Sequence, residues 1–153
     1  MKCYLDTSAL IKRTVDELET ASLKSFLVML QAQGVPLLTS VISEIEVART
    51  IRRAVAAGRI NASHREIDQS VALDGVDIIG LDPVIVSEAR VIGDDKLRSL
   101  DAVHLATARM AGAHVVVTYD ERMIKCAADA GVMTARPGYS VDDVTLPPGW
   151  AWL

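Results

Sequence analysis

Residues 115–123, VVVTYDERM, decide how the rest of the chain is read. Val115, Val116, Val117 and Thr118 are β-branched and too few for a helix, so they read as a short strand. Asp120 follows, and from it a segment of helical period runs until Gly131 stops it. A strand that gives way, through an acid, to a helix is one unit of an α/β fold. The remaining question is whether that alternation recurs.

It does. Apolar runs of strand length fall at 2–5, 36–40, 76–80, 115–118 and 132–135, the last as an edge strand. Helical periods fill 8–13, 15–33, 41–57, 61–73, 83–92, 99–111 and 120–130. Gly34, Gly58 and Gly112 stand where helices should stop, Asn61 or Ser63 can cap the fourth helix, and Pro83 suits a first turn. The fold class expected is α/β: a three-layer α/β/α sandwich around a mostly parallel sheet of about five strands. No repeat or internal linker is visible. One domain over 1–136 is expected, with an irregular tail over 137–153 that carries Pro147-Pro148-Gly149.

Composition narrows the function classes. At 153 residues, 50% apolar and 24% charged, the chain can bury a real core. No apolar run nears the length of a membrane span, and no basic stretch followed by a long apolar segment opens the chain. Cys3 and Cys126 are far apart, lack a zinc spacing and sit among apolar neighbours, so they are expected to be buried thiols in a reducing cytoplasm. A net charge of −4 argues against gripping nucleic acid over the whole surface. Charge is uneven, however: from Arg49 to Arg65 there are five arginines (49, 52, 53, 59 and 65) and no acid at all. A solvated helix face is the plain reading of that run.

In a parallel sheet, ligands bind beyond the carboxyl ends of the strands. Asp6 follows the first strand directly, and Asp120 follows the fourth with Thr118 two residues ahead of it. Glu44 and Glu46 lie in the opening turns of the helix after the second strand, and Asp101 lies near the start of the helix before the fourth. Each has an ordinary structural explanation. Asp6 and Asp120 make good N-caps, worth roughly 0.5–2 kcal/mol, and Asp101 is favoured by the helix dipole. Together they are a set of carboxylates brought to one edge, where they repel one another unless a cation intervenes. An all-oxygen set without Cys or His pairs suits Mg²⁺ or Mn²⁺, and such a site supports phosphodiester hydrolysis.

Other chemistries fit less well. A haloacid-type phosphatase needs an Asp where Ser8 stands, and no GxxxxGK[ST] loop, GxGxxG turn or GxSxG elbow is present. His104, one helical turn beyond Asp101, could serve as a base or ligand, but such a histidine is more often a packed, hydrogen-bonded core residue.

Four stretches in this order, YLDTSAL, LLTSVISEIEVARTIRR, LRSLDAVHLATARMAG and VVVTYDERMIKCAADAGV, resemble PIN-domain ribonucleases, and among them the VapC-type toxins of toxin–antitoxin pairs. The resemblance covers nearly the whole chain from Tyr4 to about Arg136. It implies a metal-dependent endoribonuclease that cuts structured RNA with a metal-activated water, using Mg²⁺ or Mn²⁺ held by Asp6, Glu46, Asp101 and Asp120. Thr7, Ser8 and Thr118 would orient those carboxylates, and Arg49, Arg52 and Arg53 would contact flanking RNA phosphates. A cognate VapB-like antitoxin and a homodimer are the implied partners, and a membrane is not. Alternatives are a PIN nuclease for RNA processing without an antitoxin, and a non-catalytic RNA- or protein-binding module.

Two details depart from a simple match. The family motif selects Glu46, in Glu46-Val47-Ala48-Arg49, yet a helical wheel puts Glu44 in line with Ala48, Ile51 and Val55 and puts Glu46 with Arg49 and Arg53. Some relatives also carry an acid two residues past the last Asp, where this chain has Arg122. In the tail, Trp150 and Trp152 could anchor an interface or dock on their own domain.

Overall fold

The computed structural model describes residues 1–139; the region 140–153, with Pro147-Pro148-Gly149, Trp150 and Trp152, lies outside the described residues. Five strands form one parallel sheet: β1 (Cys3–Leu5), β2 (Leu37–Ser40), β3 (Asp77–Ile79), β4 (Val115–Val117) and β5 (Thr134–Ala135). Their spatial order is β3-β2-β1-β4-β5, with Cys3 opposite both Leu37 and Val115. The chain therefore builds outward from β1 in one direction and returns to its other side with β4. That reversal creates a crevice at the carboxyl ends of β1 and β4.

Alternation along β1 divides the core. Cys3 and Leu5 face a cluster with Leu10, Leu23, Leu30, Val47 and Ile51, whereas Tyr4 faces Leu38, Ile85, Leu105 and Met123. The first cluster is covered by α1 (Thr7–Ile11), α2 (Thr20–Ala32), α3 (Ile42–Ala56) and α4 (Arg65–Leu73). The second is covered by α5 (Pro83–Ala89), α6 (Ser99–Met110) and α7 (Glu121–Asp129). These are the three expected layers. Cys3 and Cys126 are both buried free thiols. Among the described residues, no helix is long and apolar enough to cross a membrane.

Most boundaries move by a residue or two, and three move further. The helix expected from position 15 starts at Thr20. The cause is local competition for the backbone: Thr20 Oγ1 accepts from the Glu17 N–H and donates to the Val15 carbonyl, which holds 15–19 in a turn. Lys12 reinforces it by pairing with both Glu17 and Glu19. The segment expected as one helix over 61–73 opens instead with a 3₁₀ turn, Ala62–His64, whose first N–H bonds are closed by Asn61 accepting from Ser63 at 3.0 Å. The helix expected over 83–92 stops at Ala89.

One buried tie links strand ends to the α3 start. Thr39 Oγ1 donates to the Leu5 carbonyl at 2.8 Å and lies 2.7 Å from Ser43 Oγ. Thr39→Val keeps the shape and strands both partners, so unfolding should become easier by about 1–2 kcal/mol. A lower urea midpoint with an unchanged slope is the expected result; an unmoved midpoint would show that the tie contributes nothing.

Candidate active site

Asp6 sits at the carboxyl end of β1 and is 3% exposed. It does cap α1, with Oδ1 accepting from the Ala9 N–H at 2.9 Å. Capping uses only part of its bonding, however. Ser8 Oγ donates to the same Oδ1 at 2.7 Å, and Thr118 Oγ1 donates to Oδ2 at 2.7 Å. Ser8 also reaches across to the end of β4, accepting from the Tyr119 N–H, while Thr118 accepts locally from the Asp120 N–H. Burial pushes the Asp6 carboxyl up, against the lowering effect of the His104 charge and of the donors from Thr118, Ser8 and Ala9.

Asp120 caps α7 through Oδ1, which accepts from the Arg122 and Met123 N–H groups. Asp101 lies in the first turn of α6, where the neighbouring cap residue Arg98 offers no side-chain bond. Its Oδ2 is buried and has no hydrogen-bond partner among the described residues. Burial raises the Asp101 carboxyl first, and the charge of Asp120 and then that of Asp6 raise it further, partly countered by His104 and Arg98. A buried, unpartnered carboxylate oxygen that faces two like charges is electrostatically suited to a hard cation. Among the described residues, no three His, Cys, Asp or Glu side chains already close into a ligand shell.

The choice between the two glutamates turns on α3. The buried stripe of this helix runs through Ser43, Val47, Ile51 and Ala54, not through Ala48 and Val55. The wheel that favoured Glu44 was thus one position out of phase, because the helix enters the fold on Ile42 and Ser43. Glu44 is exposed. Glu46 turns inward, and its Oε2 accepts from Thr7 Oγ1 and from His104 Nε2, the latter at 2.8 Å. Both donors fall on Oε2, and Oε1 has no partner among the described residues. Burial would raise the Glu46 carboxyl, but the His104 and Thr7 bonds and the His104 charge outweigh it and hold it below the usual range.

Thr7, Ser8 and Thr118 therefore touch the acids named in the sequence reading, although Thr7 serves Glu46 and not Asp6. Arg49, Arg52 and Arg53 lie exposed on α3 and, with Ala56, line an open hollow of about 260 Å³. A second hollow of about 270 Å³ lies at the acid edge, lined by Thr7, Ser8, Lys12, Thr50 and Tyr119 among others. Both hollows are bordered by α3, the first through Arg49, Arg52, Arg53 and Ala56 and the second through Thr50.

Tyr4 and Lys12 escaped the sequence reading, and His104 was read only as a packed, hydrogen-bonded core residue. Tyr4 and His104 form a buried bonded pair, Tyr4 Oη lying 2.7 Å from His104 Nδ1. The spacing from Asp101 to His104, three residues on one helix, was the available signal for the histidine. Lys12 is 8% exposed, pairs with Glu19 at 2.7 Å and sits 4.6 Å over the Tyr119 ring. Nothing in the spacing of KRTVDELE distinguishes that buried lysine from a surface one.

Comparison with known proteins agrees with this architecture. The family model described as PIN domain matches residues 3–129. Ribonuclease VapC47 of Mycobacterium tuberculosis is 36% identical over 137 residues, covering 88% of this chain and 96% of the relative. Ribonuclease VapC35 of the same species is 35% identical over 139 residues, with the same coverage. Among solved structures, a toxin–antitoxin complex from Klebsiella pneumoniae contains a chain that matches with a TM-score of 0.62 at 22% identity, covering 91% of this chain and 99% of that one.

Proposed function

This chain belongs to the PIN domain family, and on that premise we propose that it is a toxin endoribonuclease of the VapC type, dependent on Mg²⁺ or Mn²⁺ and paired with a VapB-like antitoxin. The observation that carries the metal dependence is Asp101 Oδ2, buried and without a partner among the described residues, against the charges of Asp120 and Asp6. The relatives named as ribonucleases support the activity, and the fold shared with a toxin–antitoxin complex is in keeping with an antitoxin partner.

Asp6, Asp101, Asp120 and Glu46 through Oε1 would hold the cation. When bound, Mg²⁺ or Mn²⁺ supplies a water of lowered pKa and neutralises charge that builds on the phosphoryl group. The side chains do the rest. Ser8 and Thr118 keep both Asp6 oxygens aimed, and Glu46 stays ionised because two donors hold it low. One carboxylate accepts the proton of the attacking water. Water adds to phosphorus, the bond to the 3′ oxygen breaks and that oxygen takes a proton from solvent, which leaves a 5′-phosphate and a 3′-hydroxyl. Arg49, Arg52 and Arg53 bind phosphates on either side of the cut, and single-stranded loops of folded RNA bend most readily into such a crevice. Exposed Val28, Ile67 and Val71 on α2 and α4 give apolar surface for an antitoxin or a second copy. The two buried thiols suit a reducing cytoplasm.

The test is cleavage of total RNA by antitoxin-free protein with Mn²⁺, beside an EDTA control. Glu46→Gln should lose most of the cleavage and Glu44→Gln should keep it. Cleavage that persists in EDTA would overturn the metal dependence, and full activity in Glu46→Gln would return the assignment to Glu44.

A further inference from the structure

His104 is 2% exposed and uses both ring nitrogens. Nε2 meets Glu46 Oε2 at 2.8 Å, and Nδ1 meets Tyr4 Oη at 2.7 Å. A carboxylate can only accept, so the imidazole presents its N–H at Nε2, and in the neutral ring Tyr4 donates to the bare Nδ1. Tyr4 is the middle residue of β1, fully buried and paired in register with Leu38 on one side and Val116 on the other. It keeps its phenolic proton, since burial and then the Asp6 charge push it well above the usual tyrosine range. The chain of contacts thus runs from the central strand of the sheet, through a buried ring, to a long side chain with several rotatable bonds.

The geometry at the far end is selective. His104 from α6 and Thr7 from α1 converge on the same oxygen of Glu46, and Thr7 Oγ1 also lies 3.3 Å from His104 Nε2. With Oε2 fixed by two donors from different elements, the position of Oε1 is fixed as well. The glutamate that His104 reaches is not a core residue, since 24% of the Glu46 side chain is exposed. The contact instead joins α1, α3 and α6, the elements beginning at or carrying Asp6, Glu46 and Asp101.

We propose that Tyr4 and His104 form a buried strut that sets Glu46 Oε1 toward the acid edge, which makes His104 a positioning residue of the cation site. The proposal rests on the reading of Glu46 as a cation ligand. Neighbours that orient a metal ligand typically change affinity by about 10–100-fold when removed.

The experiment measures Mn²⁺ affinity by calorimetric titration of the full chain, with a thermal melt of each variant. His104→Leu, which removes both bonds, should weaken Mn²⁺ by about 10–100-fold. His104→Gln, which keeps a donor for Glu46, should recover much of that loss. Tyr4→Phe removes one oxygen from the root of the strut and should weaken binding several-fold; it carries the test if His104→Leu does not fold. The decisive readout is the pair of changes together. In a Glu46→Gln background, His104→Leu should cause no further loss, because a residue that acts through Glu46 has nothing left to position. Wild-type protein that binds Mn²⁺ while both His104→Leu and Tyr4→Phe bind equally well overturns the strut alone, as do losses that add in the double variant. Wild-type protein that binds no Mn²⁺ overturns the cation reading and the strut with it.

Discussion

Asp6→Asn should remain folded and lose RNA cleavage by at least about 10²–10³-fold, which at roughly 1.4 kcal/mol per decade is the several kcal/mol a cation's charge stabilisation supplies. The substitution separates two roles held by one side chain. As a cap, asparagine is as good as aspartate, and its carbonyl can still accept from the Ala9 N–H and Ser8 Oγ that meet Oδ1. The other oxygen becomes an amide, so Thr118 Oγ1 loses an acceptor and must turn to accept from that amide and from the Asp120 N–H. That rearrangement costs about 1 kcal/mol at most, and removal of a buried charge offsets it. What cannot be replaced is the charge. A melt close to wild type together with abolished cleavage is therefore the expected result. Cleavage at the wild-type rate would reduce Asp6 to the cap that its position after β1 first suggested.

Much of this was legible because the informative signals are local and periodic. Val115–Val117 and the acid two residues beyond Thr118 mark a strand end without reference to any other part of the chain. The same holds for Leu5 and Asp6. Once the alternation implies a parallel sheet, those acids must share an edge. The sites that sequence could not settle depend on the phase of a helix against neighbours distant in sequence. Glu44 and Glu46 differ by two residues, and which one turns inward depends on Ser43 meeting Thr39 and on His104 arriving from α6. The start of α2 moved for a comparable reason. Thr20 had a partner in the Val15 carbonyl, and Lys12 had partners in Glu17 and Glu19, that no hydrophobic period reports. His104 was read correctly as a buried, bonded residue, yet its second partner was invisible because it lies 58 positions away.

Asp101→Asn should reverse the order of stability depending on whether a divalent cation is present. In EDTA the variant should be the more stable protein at neutral pH. Burial and then the charge of Asp120 hold the Asp101 carboxyl above its ordinary range, so its ionised form is the unfavourable one in the folded state. The sign follows from proton binding. Below the ordinary carboxylate pKa of about 4, folded and unfolded chains are both protonated at this position and its stabilising contribution is complete. As pH rises from there through the raised folded value, the unfolded chain releases the proton first, and the contribution is lost. The melting temperature of wild type minus that of Asp101→Asn, both in EDTA, should therefore fall as pH rises across that window. Mn²⁺ turns the same repulsion into affinity. At about 100 times its dissociation constant a ligand adds roughly 2.7 kcal/mol, which for a chain of this size raises the midpoint by roughly 5–11 °C. The variant, lacking one carboxylate charge, should gain less than about a third of that shift, so the wild type becomes the more stable protein once the cation is bound. A wild-type melt that ignores Mn²⁺ would mean that Asp101, Asp120 and Asp6 tolerate one another without a cation, and a difference that grows with pH in EDTA would mean that Asp101 is stabilised, not strained, by its neighbours.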